Sequence, residues 1–446
     1  MTPVRTICLG FLGVIGVGTL LLWLPVTHTS GQWGSLLTAL FMATSAVCVT
    51  GLGVVDVGSY YNALGQGILL GLIQIGGLGY MTANTLLLLL LGRRFGLKDK
   101  LALQQSMDRP TLGGSLYLLR SILSLTVVIE LTGVLVLVVG FAPRYGWSQG
   151  LWLALFHSIS AFNNAGFSLF PNSLVEYRGS GIVVVGVTLL VILGGIGYTV
   201  IMEGFVWLRD ALRRRSQELT DRMFFSLNTR IVTTTSLALL VLGTLAFGVL
   251  EWNKALGGMP WQERLLAAWF QSVTTRTAGF HTVETSRLST AALCLTIVLM
   301  FIGASPGGTG GGIKTTTMRV MASCTQAVLR GKEEVVLYER QIPLSLVLKA
   351  VAVVFGSLGV VMGATLLITL LEQDLDFLKL LFEVVSAFAT VGLSTGITAE
   401  LQGWSQLVII VTMYIGRVGI LTLMSATLKE SSPSRIHYPE ESFLVG

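Results

Sequence analysis

Along the 446 residues the apolar positions fall into long runs, not into a two-residue alternation. Eight runs approach the roughly 20 residues that cross a hydrocarbon core as helix; they lie near 6–25, 66–91, 117–141, 181–207, 231–250, 290–328, 345–371 and 405–428. Between alternate runs sit shorter semi-apolar stretches at 34–46, 147–162, 261–275 and 377–389. These are too short to span and predict re-entrant helices. Each starts at or just after an aromatic residue (Trp33, Trp147, Trp261, Phe377) of the kind that favours the membrane interface. The first run exceeds the apolar core of a signal peptide and no small-x-small cleavage site follows it, so it is expected to stay as a helix.

Composition agrees. Hydrophobic residues make up 52% and charged residues 12%, against about 25% charged in a soluble globular domain. Mean hydropathy is +0.76. Cys8, Cys48, Cys294 and Cys324 are scattered with no CxxC pair, which signals neither a disulfide framework nor a zinc site. His28, His157, His281 and His437 form no cluster at metal-ligand spacing and receive no role.

The charges set an orientation. Arg93, Arg94, Lys98, Lys100 and Arg109 fill one connection, Arg209, Arg213, Arg214, Arg215, Arg222 and Arg230 another, and Arg319, Arg330, Lys332 and Arg340 a third. Arg5, Lys429 and Arg435 join them, while the opposite side holds only Arg144, Arg178, Lys254, Arg264, Arg287 and Lys379. The positive-inside rule places the basic side and both termini in the cytoplasm of a plasma (inner) membrane protein. The net charge of +6 is therefore topology, with no nucleic-acid partner implied.

A repeat organises the chain. FMATSAVCVTGLG, FHSISAFNNAGFS, WFQSVTTRTAGFH and FEVVSAFATVGLS align on Gly51, Gly166, Gly279 and Gly392, with an aromatic ten positions earlier in each (Phe41, Phe156, Trp269, Phe382). Each unit reads span, re-entrant helix, glycine turn, span. The expected architecture is an all-α polytopic membrane protein, four tandem span–re-entrant pore loop–span repeats in pseudo-fourfold arrangement around one pore. The repeats fall at 1–95, 96–215, 216–335 and 336–428, with a cytoplasmic tail at 429–446. Irregular backbone survives at membrane depth only where it is buried in protein or lines a water-filled path. Glycine can take positive φ and turn successive carbonyls to one side, and rings of carbonyls replace an alkali cation's hydration shell. The predicted potassium ligands are the carbonyls of Val49, Thr50 and Gly51, of Asn164, Ala165 and Gly166, of Thr277, Ala278 and Gly279, and of Thr390, Val391 and Gly392.

These four loops, the third reading TTRTAGF, resemble the Trk/Ktr/HKT superfamily of potassium transporters over essentially the whole chain. The short amino terminus is most similar to the Ktr membrane subunit of the KtrB type. Relatives that prefer sodium carry serine at the first filter glycine, where this chain has Gly51. The resemblance implies a homodimer with one pore per protomer and a cytosolic nucleotide-binding ring (KtrA-type) on the inner face. Nucleotide would act only through that partner, and regulatory Na+ would be possible, although no residue here points to a sodium site.

The run near 290–328 is interrupted by GASPGGTGGGIKTTT. Gly303, Pro306, Gly307, Gly308, Gly310, Gly311 and Gly312 cannot continue a helix, since glycine costs about 1 kcal/mol and proline about 3. A phosphate loop is excluded because Ile313 separates Gly312 from Lys314 and no strand precedes. By resemblance this segment, with Lys314, is an intramembrane gating loop. Arg417 stands alone within the last span, and such a residue is functional by default; it is expected below the filter, beside the loop. Arg276, three residues before Gly279, is expected to point backward and brace its loop. Glu130 is weighed as a proton relay against a polar helix contact.

The outer face is expected to carry Asp56, Glu176, Glu251, Glu263, Glu284, Glu372, Asp374, Asp376, Glu383 and Glu400, most of them solvated, giving a negative vestibule that concentrates cations. The expected activity is potassium uptake through a carbonyl-lined filter, with no enzymatic step. The alternative is a proton- or sodium-coupled secondary cation transporter built on broken helices.

Overall fold

The computed structural model describes residues 3–79, 115–213 and 225–427. The basic clusters at 93–109 and 214–222, the second half of the 66–91 run and the 429–446 tail lie outside the described residues.

The described chain is mostly helical. The first unit comprises α1 (Pro3–Trp23), α2 (Leu36–Val47) and α3 (Ala63–Leu78). The second has α4 (Ser115–Tyr145), α5 (Trp147–Phe162), α6 (Gly181–Ile196) and α7 (Tyr198–Arg213). In the third are α8 (Leu227–Glu251), α9 (Trp261–Thr274), α10 (Thr290–Phe301) and α11 (Thr315–Leu329). The fourth has α12 (Leu344–Leu371), α13 (Phe377–Phe388), α14 (Gly403–Val418) and α15 (Ile420–Thr427). A two-residue hairpin, Val336–Leu337 with Arg340–Gln341, links the last two units.

Each unit's first helix is long and apolar enough to cross a membrane: Val4–Trp23, Arg120–Tyr145, Leu227–Glu251 and Leu344–Leu371. The second helices depart from the expected straight spans. The runs at 181–207 and 405–428 are each two helices, bent by 107° and 94°. The bends sit at Gly197 (φ 97°) and Gly419 (φ 86°), a left-handed conformation that ends a right-handed helix and that glycine adopts without a Cβ clash. Gly79 takes the same conformation (φ 83°) at the end of α3.

Small residues let the second helices approach the pore helices. A Cβ on Gly76 would stand 2.1 Å from the Val47 carbonyl oxygen, and on Gly194 or Gly416 it would stand 1.8 Å from that of Phe162 or Phe388. Side chains there would drive the helices apart, at a cost set by backbone that cannot yield. The pore helices α2, α5, α9 and α13 are buried at their C-terminal halves and exposed at their starts, where Trp33, Trp147, Trp261 and Phe377 face outward. Leu135, Val249, Phe355 and Leu370 are among the exposed apolar residues of the long helices, as a lipid-facing surface requires.

Candidate functional site

All four pore helices run out a few residues before the aligned glycines, and the backbone that follows repeats. Gly51, Gly166, Gly279 and Gly392 have φ of 93°, 70°, 78° and 89°. Two positions earlier Val49, Asn164, Thr277 and Thr390 have φ of 56°, 57°, 65° and 51°. Positive φ is a true outlier for β-branched residues and costs of order 1–3 kcal/mol each. Sequence reasoning assigned this freedom to the glycines alone; asparagine tolerates this region at 164, but valine and threonine at the other three positions give no such signal. Alternating backbone hand turns successive peptide planes the same way, as a run of carbonyl ligands needs.

The four loops close on one another. A Cβ on Gly51 would stand 2.5 Å from the Ala165 carbonyl oxygen, on Gly166 2.9 Å from that of Ala278, on Gly279 2.7 Å from that of Val391, and on Gly392 2.1 Å from that of Thr50. Each glycine thus abuts the carbonyl just before the next copy's glycine, and the fourth returns to the first. All twelve residues expected to supply carbonyls lie in these four loops. Behind the ring the loops hold to their own helices: Gly51 and Gly392 donate N–H to the hydroxyls of Ser45 and Ser386, each at 3.1 Å. Ser160 and Thr274 donate to the carbonyls of Phe167 (2.8 Å) and Phe280 (2.5 Å).

The glycine-rich segment 303–314 lies directly beneath. The Asn164 side-chain amide bridges the hydroxyls of Thr277 (3.2 Å) and Thr309 (3.1 Å). Gly311 N–H donates to Thr390 Oγ1 at 3.0 Å. Added Cβ atoms on Gly310 and Gly311 would stand 2.0 and 2.4 Å from the hydroxyl oxygens of Thr277 and Thr390. Gly307 (φ 72°) and Gly312 (φ 69°) turn the segment, whose backbone is tied to its surroundings by Ser305 N–H to Gly195 O and Thr309 N–H to Gly194 O, each 3.0 Å. Gly307 O also accepts from Tyr198 N–H, 3.1 Å away, and a Cβ on Gly197 would stand 2.5 Å from Pro306 O. Gly303 and Gly308 pack as closely, since Cβ atoms there would stand 2.2 Å from Gly311 O and 2.7 Å from Gly195 O.

Three cations surround this segment. The Arg417 guanidinium donates to the carbonyls of Thr309 and Gly76, bridging the segment to α3. Lys314 Nζ donates to Gly310 O at 2.8 Å. Arg276 turns back from its loop and donates to Gly303 O at 3.2 Å. Glu130 accepts from Gln74 (3.3 Å) and Asn163 (3.0 Å), an amide-lined polar contact between helices.

On the other side the ring opens into a vestibule of about 400 Å³, lined by the four glycines together with Asp56, His281 and Glu284. Three of the acids expected on the outer face are instead buried, each accepting hydrogen bonds from backbone N–H and hydroxyl groups brought beside it. Glu251 accepts from Ser289 and from Ala255 N–H (3.2 Å), Glu372 from Gln402 N–H (2.7 Å), and Glu383 from Ser394, Thr395 N–H (3.0 Å) and Thr398 (2.9 Å). Ion pairs join Arg144 with Glu176 at 2.5 Å and Arg178 with Glu263 at 3.4 Å. Among the described residues no His, Cys, Asp and Glu cluster could hold a metal ion through side chains.

Residues 9–437 match the TrkH family, described as cation transport protein. The chain belongs to the TrkH family. Its sequence is 40% identical to Ktr system potassium uptake protein B of Bacillus subtilis, covering 100% of this chain and 97% of the relative. It is 39% identical to the protein of the same description from Vibrio alginolyticus, over 99% and 94%. With the potassium/sodium uptake protein NtpJ of Enterococcus hirae the identity is 35%, over 100% and 98%. The structure matches the potassium transporter TrkH of Vibrio parahaemolyticus with a TM-score of 0.69 at 17% identity, over 93% of this chain and 84% of that one, a likeness of fold. This TrkH-family protein is a multi-pass membrane transporter and not an enzyme.

Proposed function

We propose that this chain is the translocating subunit of a potassium uptake system in the plasma membrane, with both termini cytoplasmic. The observation that carries this reading is the closed cycle of glycine-to-carbonyl contacts from Gly51 through Gly166, Gly279 and Gly392 back to Thr50. In this reading the carbonyls at and just before each glycine face the axis and replace the hydration shell of potassium. The ion then passes the 303–314 loop, which must leave Arg417 and move aside. An inside-negative potential drives it inward with about 2.3 kcal/mol per charge per 100 mV. Relatives at 40% and 39% identity named as Ktr potassium uptake proteins support the potassium preference. Their description as protein B of a Ktr system supports a partner subunit; we further propose a homodimer under a KtrA-type nucleotide-binding ring, through which nucleotide acts. The 35% identity to a protein named for potassium and sodium uptake supports a regulatory or transported sodium ion.

The test is rubidium and sodium uptake into liposomes holding the purified chain, at a fixed potential, beside a Gly51→Ser variant. Rubidium uptake favoured over sodium in the natural chain and not in the variant is expected. Equal uptake of both ions by the natural chain would overturn the potassium-preferring reading. Uptake that requires a proton or sodium gradient, and that Glu130→Gln abolishes, would replace it with a coupled secondary transporter.

A further inference from the structure

The ring's four loops are not held alike at their outer ends. In the second copy Ser168, two residues past Gly166, lies 3.0 Å from Nε2 of His157, nine residues before it. Nδ1 of that imidazole faces the Leu153 carbonyl at 2.8 Å. Nδ1 is therefore the protonated nitrogen, and Nε2 accepts from the serine hydroxyl. In the fourth copy Ser394, two residues past Gly392, donates to Glu383, again nine residues before the glycine. The correspondence extends to the next turn. Phe170 N–H donates to Ser168 Oγ at 3.0 Å, and Gly396 N–H donates to Ser394 Oγ at 2.9 Å.

The first and third copies lack this arrangement. The positions nine before the glycine are Met42 and Phe270, and those two after are Gly53 and His281. Met42 only packs near Gly53, with its sulfur 3.8 Å from where a Cβ would be. In the cyclic order of the ring the second and fourth copies lie across from each other, so the two bonded loops are opposite. His157 and Glu383 are 0% and 1% exposed, while Ser168 and Ser394 are half-buried at the vestibule wall. A buried polar group is retained only where a partner satisfies it, and in both copies the partner is the serine hydroxyl two residues past the filter glycine.

We propose that His157 and Glu383 are positioning residues which, through Ser168 and Ser394, hold two opposite loops at the spacing that discriminates potassium from larger-hydration-cost sodium. This inference rests on the carbonyl-filter reading. The strut acts by geometry: its hydrogen bonds, not the charge of Glu383, fix where the Gly392 loop stands. Gln at 383 keeps an acceptor for Ser394 and Thr395 while its amide can donate to the Thr398 hydroxyl, whereas Ala removes all three bonds.

The experiment measures the ratio of rubidium to sodium uptake in liposomes for the full chain and for Ser168→Ala, Ser394→Ala, Glu383→Ala, Glu383→Gln and the Glu383→Ala/Ser394→Ala pair. The serine variants are expected to lower the ratio about fivefold each, the scale of one net hydrogen bond. Glu383→Gln should keep the ratio, and the double variant should match Glu383→Ala, since loss of the carboxylate already removes the Ser394 bond. A ratio unchanged in both serine variants would overturn the proposal while leaving the filter reading intact, and so would a Glu383→Gln ratio as low as that of Ser394→Ala. The serine changes are small and half-exposed, so the test stands even if Glu383→Ala fails to fold. A natural chain with no preference at all would remove the filter reading and this proposal together.

Discussion

Gly392 stands against Thr50 so closely that a Cβ would lie 2.1 Å from the Thr50 carbonyl oxygen, and this contact joins the last loop of the chain to the first. With φ at 89°, Gly392 is also in a region that side chains rarely adopt. Gly392→Ala therefore meets both a backbone clash and a strained conformation. The ring should widen or break, with rubidium uptake at fixed potential falling at least about tenfold, the effect of a displacement costing 1.4 kcal/mol or more. Uptake and ion preference equal to the natural chain's would contradict the ring.

Arg417 tethers the loop by donating to Thr309 O while its other nitrogen holds Gly76 O. Hydrogen bonds from a charged donor contribute about 1.5–3 kcal/mol. Arg417→Gln should shift the loop toward its displaced state and raise flux of the isolated chain on the order of tenfold. Single-concentration rubidium uptake without any cytosolic partner checks this; lower flux would mean the arginine aids passage.

The segment can seat this close to Thr277 and Thr390 only because positions 310 and 311 carry no side chains. Gly311→Ala would place a methyl 2.4 Å from the Thr390 hydroxyl oxygen. The same flux assay should show a leakier protein, and pairing the change with Thr390→Ala, which makes room for it, should restore closure. A tight Gly311→Ala protein would show that the segment does not block there.

Glu251 ties the end of α8 to the start of α10 through Ser289, the N-cap of the latter. Buried at 1% exposure, its removal strands the Ser289 and Ala255 donors. Glu251→Ala should destabilise the detergent-solubilised protein by about 2–3 kcal/mol, whereas Glu251→Gln should cost less. A thermal melt in detergent decides, with equal midpoints for natural and Ala proteins as the contrary result.

Burial pushes the His281 imidazole down to about 4, against a smaller opposing pull from Glu284. It is therefore uncharged beside the vestibule at neutral pH and does not repel cations. Since the unfolded chain binds this proton more tightly, its contribution to stability is intact above pH 6.5 and is lost as pH falls toward 4. His281→Asn should flatten that part of the melting-temperature profile between pH 6.5 and 4.5 and leave uptake between pH 6 and 8 unchanged. An uptake inflection near pH 6.5 that vanishes in the variant would show a protonating imidazole in the ion path.

Much of the architecture was legible in one dimension because the membrane imposes a length on each span and the repeat imposes a period. Apolar runs located the four long helices, the short semi-apolar stretches located the pore helices, and the aligned glycines fell in the four loops that meet. The interruption at 303–314 was visible because six glycines and a proline crowd into one short stretch, and their summed cost is more than a regular helix absorbs. Sequence alone could not reveal the positive φ of Val49, Thr277 and Thr390, for β-branched side chains take that conformation only when surrounding packing forces it. Nor could it separate solvated acids from Glu251, Glu372 and Glu383, whose burial depends on which distant N–H and O–H groups arrive beside them. The sharp bends at Gly197 and Gly419 escaped because a lone glycine in an apolar run reads as continuous helix; at Gly197 the bend lies against the Pro306 carbonyl, a contact no local pattern records. Local chemistry determined which segments enter the membrane and which residue types could line a path; the tertiary structure decided which backbone atoms meet, because contacts over a hundred residues apart leave no trace in the pattern of any one segment.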